Sequence, residues 1–268
     1  KMAPGWVGED IAFGDEAGAG SALVVDAHGR PHLLYGVRGN RVRYARRPQS
    51  APAWGGAGAG VWEKLDVDDN SGQSPLLITS LALLDDGTAV ASYCDWQVVM
   101  AHLKLGVRPP ERAGAPPTLW QSTAAHEDNK PGIDGPSSAI LVRKDGKVDV
   151  AAVRVDDGAL LLGSFDPKHP AALADRTRVA TARGPTVVRR GDDGTIWALT
   201  RDPHERGDRV TGLFLIEVPH GDPAQARRVL LEKGTQDDPW IDVALRKDGR
   251  PVAVWFSEEA KGLKLYAP

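Results

Sequence analysis

LVVDAHGRPHLLYG, residues 23–36, is an apolar run, a polar turn closing on Gly29, and a second apolar run. It decides the fold because the chain repeats it four more times. The copies are ALLDDGTAVASYCD (82–95), LVRKDGKVDVAAVRVD (141–156), VVRRGDDGTIWALTRD (187–202) and VALRKDGRPVAVWFSE (243–258). The turn glycines Gly29, Gly87, Gly146, Gly194 and Gly249 are spaced 58, 59, 48 and 55 residues apart. A strand–turn–strand unit recurring at such a period is the signature of a β-propeller or a related repeat fold.

Working outward, each copy gains two more strands. A short β-prone segment follows it: Arg41–Arg46, Val98–Leu103, Ala159–Phe165, Gly212–Val218 and Gly262–Tyr266. Another stands before it, led by Trp6, Trp62 and Trp120 ahead of the first three copies and plainer at Arg176–Ala180 and Arg227–Leu231. Alternation, β-branched bias and intervening turn residues read as four antiparallel strands per unit, and helical periodicity is absent. The expectation is an all-β, five-bladed propeller forming one domain over residues 1–268. Residues 6–12 precede the first unit, so they are expected to close the ring as the outer strand of the last blade. Such closure removes an exposed sheet edge.

Composition narrows the partners. Thirty-three basic and 36 acidic residues leave a net charge of −3, which gives no electrostatic footprint for nucleic acid. No apolar stretch approaches the roughly 18 residues of a membrane span. Cys94 is the single cysteine, which excludes an intramolecular disulfide and a paired-cysteine metal site; its place in a second strand reads as a small buried hydrophobe. A monomer is expected, in a secreted or periplasmic rather than a cytoplasmic setting.

The repeat, with its W-x-x-E segment and its D-x-x-G-x-P-H-x-x-Y core, resembles the bacterial propeller repeats grouped with sialidase-type and lectin-type propellers. Asp192-Asp-Gly-Thr-Ile-Trp197 comes near the D-x-G-x-x-W core of an Asp-box, with Arg190 where the leading Ser would stand. The resemblance covers essentially the whole chain and implies a scaffold. It brings no sialidase activity, because the arginine triad of that family has no place on this sequence.

In a propeller, ligands collect where the inner strands begin, around the central channel. Ser21, Ser80, Ser138, Thr186 and Asp242 stand at those starts. Four are small enough to be there for packing alone; Asp242 is the exception, since a carboxylate in a channel needs a partner or a ligand. The second strands end in Arg38, Asp95 with Trp96, Arg154, Arg201 and Glu258, groups able either to pair with one another or to line a polar pocket. Two polar loops add His126 and Asp134, and Asp238 with Trp240. Trp96 and Trp240 could stack on the apolar face of a sugar.

Two functions compete. In the first, favoured, reading the protein binds carbohydrate at the channel mouth or in clefts between blades, through Trp96, Trp240, Arg38, Arg154, Arg201, His126 and Asp238. The alternative is a glycoside hydrolase. Several five-bladed propeller families are hydrolases that use a pair of carboxylates near the axis; the candidates here are Asp242, Asp95, Asp134 and Glu258, their separation setting the stereochemistry, and no family signature marks them. A protein-interaction scaffold is a third possibility. No cofactor is expected. Asp66-Val-Asp-Asp-Asn-Ser-Gly72 has spacing that could reach Ca²⁺, but Ser71 and Leu77 stand where an EF-hand loop needs Gly and Glu, so a solvated strand end is the default.

Overall fold

The computed structural model describes residues 11, 20–37, 41–48, 61–68, 79–97, 100–110, 119–124, 134–154, 157–170, 173–182, 186–202, 212–234, 240–257 and 259–268. These form five antiparallel sheets, each built from strands consecutive in the chain. Sheet 1 holds β1 (Ser21–Val25), β2 (Pro31–Val37), β3 (Arg41–Arg46) and β4 (Glu63–Asp68). Sheet 2 holds β5 (Thr79–Leu83), β6 (Ala89–Gln97), β7 (Met100–Arg108) and β8 (Gln121–Ala124). Sheet 3 holds β9 (Asp134–Val142), β10 (Val148–Arg154), β11 (Ala159–Phe165) and β12 (Ala174–Thr181). Sheet 4 holds β13 (Thr186–Arg190), β14 (Ile196–Asp202), β15 (Gly212–Val218) and β16 (Arg227–Lys233). Sheet 5 holds β17 (Ile241–Leu245), β18 (Pro251–Ser257) and β19 (Gly262–Tyr266).

Among the described residues each expected strand has a counterpart, with β12 and β16 running beyond the expected Arg176–Ala180 and Arg227–Leu231. The third strand of sheet 2 starts at Met100 rather than Val98 and runs on to Arg108, because β6 and β7 pair over nine residues from Ala89–Arg108 to Gln97–Met100.

The recurring turn has a local cause. All five turn glycines have φ between 76° and 86°, where a side chain would be strained. In four turns the residue before the glycine is an aspartate whose carboxylate accepts the N–H two residues on: Asp86 from Thr88, Asp145 from Lys147, Asp193 from Thr195 and Asp248 from Arg250. In the first turn Asp26 stands three residues ahead of Gly29 and accepts from the N–H groups of His28 and Arg30. Asp-Gly thus fixes each hairpin, and the alternation of the flanking strands sets its register.

The core lies between sheets. Leu34, Tyr44 and Val67 of sheet 1 pack on Leu81, Ala91 and Tyr93 of sheet 2. Leu103, Leu105 and Val107 meet Val148, Val150 and Phe165. Ala139, Leu141 and Leu160 meet Val188, Ile196 and Ile216. Leu213 and Leu215 meet Val243, Ala253 and Trp255. Sheets 2, 3 and 4 are packed on both faces, so their middle strands, such as β11 and β15, carry apolar residues at nearly every position rather than at alternate ones. Cys94 is buried, as its position predicts.

Polar latches cross two of the seams. Asp68, on β4, accepts hydrogen bonds from Tyr93 Oη (3.0 Å) and Lys104 Nζ (2.8 Å) of sheet 2. Glu232, on β16, accepts from Trp255 Nε1, Ser257 Oγ (2.5 Å) and Lys264 Nζ (2.9 Å) of sheet 5.

The seam between sheets 5 and 1 differs. Leu263 and Leu265 of β19 are 77% and 67% exposed, whereas their register counterparts Leu103, Leu105, Leu213 and Leu215 are buried. Leu23 and Val25 of sheet 1 are exposed as well. Residues 6–12, expected to close the ring here, lie outside the described residues except Ile11, which packs with Leu33, Tyr35, Val37, Ala45 and Trp62 on the same face of sheet 1.

Candidate functional site

Each sheet has two ends: one bears the Asp-Gly hairpin turns, and at the other the first strand begins and the second ends. The candidate residues gather at that second end, the mouth end. Arg38, His126, Asp238 and Glu258 lie outside the described residues. Asp95 and Trp96 sit near the close of β6, opposite His102 and Ala101. Asp134 opens β9 directly opposite Arg154. Asp242 is the second residue of β17, opposite Val254. Carboxylate-bearing residues from sheets 2, 3 and 5 thus stand at the same end of their strands.

The register corrects one expectation. Counting back from each hairpin, the equivalent inner-strand positions are Ser21, Thr79, Ser138, Thr186 and Ile241, which pair with Tyr35, Tyr93, Ala152, Thr200 and Trp255. Ser80 and Asp242 are one residue further on, so their side chains project from the opposite face of the sheet. They do not belong to one ring with Ser21, Ser138 and Thr186. Several of the hydroxyls are consumed in joining sheets. Ser92 Oγ bonds Ser138 Oγ at 2.9 Å, Ser80 Oγ accepts from the Ile140 N–H at 3.0 Å, and Ser137 Oγ accepts from the Thr186 N–H at 3.1 Å. Thr186 in turn donates to Thr200 Oγ1 at 2.8 Å. Packing and cross-sheet bonding account for these residue types.

Asp242 has the partner its charge requires: Arg189 Nη2, from the inner strand of sheet 4, lies 3.2 Å from its carboxylate. The pair is largely exposed to solvent and remains accessible to a ligand. Arg154 is held by Asp157 through two hydrogen bonds, Nε to Oδ1 at 2.9 Å and Nη2 to Oδ2 at 2.6 Å. This guanidinium, helped by the Ala159 N–H, brings the Asp157 carboxyl down to about 2 against the opposing effect of burial. The ion pair closes within one hairpin rather than between blades.

Arg201 is only 3% exposed, and its Nη2 donates to the carbonyl of Phe256 at 3.0 Å. It ties sheet 4 to sheet 5, so the expectation of a solvent-facing ligand contact gives way to an anchoring role. The N–H of the same Phe256 donates to the Trp240 carbonyl at 3.2 Å, which brings Arg201 and Trp240 to one point of the mouth end. Trp240 itself is 71% exposed, a rare condition for so large an apolar ring.

Sequence reasoning passed over Glu232, a buried acid near the mouth end, and read the half-buried Asp68 only as part of a possible calcium loop. The legible signal was an acid ending the outer strand, followed in the next unit by an aromatic residue on the second strand and a lysine on the third. Burial alone would raise the Glu232 carboxyl, but hydrogen bonds from Ser257, Lys264 and Trp255 outweigh it and hold the group below its ordinary range. Among the described residues no three His, Cys, Asp or Glu side chains are grouped to hold a metal ion. Asp66 and Asp68, the first two acids of the possible calcium loop, are instead engaged by Arg43 and by Tyr93 with Lys104.

At the hairpin end, clefts open between adjacent sheets: about 690 Å³ between sheets 1 and 2, about 590 Å³ between sheets 2 and 3, and about 340 Å³ between sheets 4 and 5. All three linings carry both charges: arginines with Asp26, Glu63, Asp85 and Asp86 in the first, Lys147 and Lys168 with Asp145 and Asp166 beside Leu84 and Phe165 in the second, and Lys247 and Arg250 with Asp192, Asp193, Asp248 and Glu217 in the third.

No family profile and no curated protein matches this chain. Solved structures do. The chain is similar to a GH43 β-1,3-galactosidase solved with galactodeoxynojirimycin, at 11% identity and TM-score 0.57 over 99% of this chain and 94% of that one. It is similar to an endo-arabinase from Bacteroides thetaiotaomicron, at 11% identity and TM-score 0.56 over 94% of each chain. An α-L-arabinofuranosidase from Lactobacillus brevis aligns at 10% identity and TM-score 0.55, over 89% of this chain and 82% of that one. The sialidase-type identification of the repeat finds no support among these neighbours. At this level of identity the likeness bears on the fold alone: the chain is an all-β protein of antiparallel sheets on a β-propeller scaffold like theirs.

Proposed function

We propose that the protein is a glycoside hydrolase built on a five-bladed propeller, with its reaction centre at the mouth end. The observation that carries the reading is the full-length likeness of fold to three enzymes whose names place them on arabinose and galactose linkages. Residues at that end fit the chemistry. Hydrolysis of a glycosidic bond requires one carboxyl to protonate the leaving oxygen and another to act as nucleophile or to activate water. Asp95, Asp134 and Asp242 come from three different sheets, as expected of a single centre assembled from unlike blades. Trp240 would offer a stacking surface for a sugar ring, with Arg189 beside Asp242 to orient it. A closed ring completes the proposal: residues 6–12 form the fourth strand of sheet 5, with Ile11 against Tyr35 as Val67 lies against Tyr93.

The test is incubation of the protein with arabinan, galactan and aryl arabinofuranosides and galactosides, alongside Asp95→Asn, Asp134→Asn and Asp242→Asn. Product release by the natural protein, lost in two of the three variants with thermal unfolding unchanged, is the expected result. Release from none of these substrates would overturn hydrolysis. Exposed Trp240 supports a second reading, carbohydrate binding without cleavage, whose mark would be retention of intact glycan that Trp240→Ala abolishes.

A further inference from the structure

Arg201 departs from the pattern of its repeat. The residues at the same register on the other second strands, one past Tyr35, Tyr93, Ala152 and Trp255, are Gly36, Cys94, Val153 and Phe256. All four are small or apolar and none is exposed. A guanidinium only 3% exposed is costly to desolvate, and the seam it crosses is already held without it. Leu199, Leu213 and Leu215 pack on Val243, Ala253 and Trp255, and Glu232 latches the same two sheets. What Arg201 adds is direction, because its planar fork holds an acceptor in a fixed place.

That acceptor lies where sheet 5 ends at the mouth. The Phe256 N–H donates to the Trp240 carbonyl at 3.2 Å, extending the β17–β18 ladder one pair beyond Ile241 and Trp255. In sheet 1 the Gly36 N–H bonds the Gly20 carbonyl in the same way at 3.3 Å, so the extra pair belongs to the repeat. The N–H and C=O of one residue in an antiparallel ladder point to the same side. Arg201 Nη2, 3.0 Å from the Phe256 carbonyl, therefore meets that peptide on the side where Trp240 leaves the sheet. Ile241 packs toward sheet 4, so strand alternation puts Trp240 on the other face, with Asp242.

We propose that Arg201 is a positioning residue for the mouth end. By fixing the Phe256 peptide it sets the direction in which the Trp240 ring leaves sheet 5, and hence how tightly that end holds a sugar. This role rests on the reading of Trp240 as a sugar-stacking surface; the buried Arg201 acts through that ring and touches no ligand itself.

Fluorine NMR of protein labelled with fluorotryptophan tests the positioning directly. The resonance missing from Trp240→Phe identifies Trp240 among the eight tryptophans. It is expected to shift or broaden in Arg201→Lys, which keeps the charge and loses the fork; an unmoved resonance would overturn the role. In the natural protein the Phe256 amide should exchange in heavy water within about tenfold of the mid-strand Val254 amide. Free exchange at Phe256 would overturn the role even if the Arg201 variant failed to fold.

Hydrolysis of arabinan and galactan reads the consequence. Arg201→Lys should raise KM about fivefold with kcat nearly unchanged, the mark of lost binding rather than lost chemistry. Trp240→Ala should raise KM about tenfold and the double variant no further, because both act through one ring. Losses that multiply in the double variant would overturn the link, as would a change confined to kcat. A natural protein that neither cleaves nor retains either glycan would overturn the sugar-stacking reading instead, and the fluorine resonance would still decide what holds Trp240.

Discussion

Asp68 and Glu232 are the same residue in structural terms: each pairs with the third-strand position next to a β-bulge, Val42 in sheet 1 and Leu213 in sheet 4. Each reaches across the seam to an aromatic donor on the second strand of the following sheet and a lysine on its third. Tyr93 pairs with Lys104, and Trp255 pairs with Lys264. The bulge turns the acid out of its own sheet toward the next, which is how such irregularities re-aim a side chain.

Removing the charge from either acid should loosen one seam. Glu232→Gln is expected to cost about 1.5–3 kcal/mol, the value of hydrogen bonds to a charged acceptor, and Asp68→Asn should weaken its own seam in the same way. The two seams are separate, so the double variant should show additive losses. Urea denaturation of the three proteins measures this.

Acid should weaken the protein in two stages. Burial lowers the His32 pKa below its ordinary 6.5, despite the opposing pull of Asp26. The unfolded chain then binds the proton more readily, so stability falls as pH drops below about 6.5 and stops falling once the folded-state pKa is passed. Asp26 acts in the same direction at lower pH. Burial would raise it, but Arg30 and two backbone N–H groups bring it down to about 2. Its contribution is complete above pH 3.8 and is lost as pH falls toward 2. His32→Gln should flatten the first stage of a stability–pH curve and leave the second.

Ring closure predicts that the amino-terminal segment is structural. Ile11 is half-buried, so Ile11→Ala should cost about 1–2 kcal/mol, below the range for a fully buried isoleucine. Deleting residues 1–12 should cost more and increase binding of a hydrophobic dye at Leu23, Val25, Leu263 and Leu265. A deletion variant as stable as the natural protein would exclude the closing strand.

Gly106 is set by proximity rather than by backbone conformation. A Cβ there would lie 3.0 Å from the Trp120 ring and 3.1 Å from Val67. Gly106→Ala should therefore destabilise by about 1–3 kcal/mol through overpacking, read as a lowered midpoint in thermal unfolding.

The Asp-Gly turns and apolar runs were legible in the chain because hairpins are local: an aspartate, a glycine of positive φ and two alternating strands suffice. That made the described strands of all five sheets readable, with the limits of β7, β12 and β16 displaced. The candidate site was less so. Ser21, Ser138 and Thr186 stand eight residues before their turn glycines but Ser80 and Asp242 only seven, an offset that the hairpin register turns into side chains on the other face of the sheet. Arg201 looked like a ligand contact, yet the neighbouring sheet supplies the Phe256 carbonyl that buries it.

By itself the sequence determined the repeat, the hairpins and the strand content, because each depends on residues a few positions apart. Tertiary structure alone decided which acids are latches and which face solvent, where Arg201 and Trp240 meet, and that His32 stands beside Asp26 in a cleft. Those relations join residues from different strands and sheets, whose distances are set by how one sheet packs on the next rather than by their spacing along the chain.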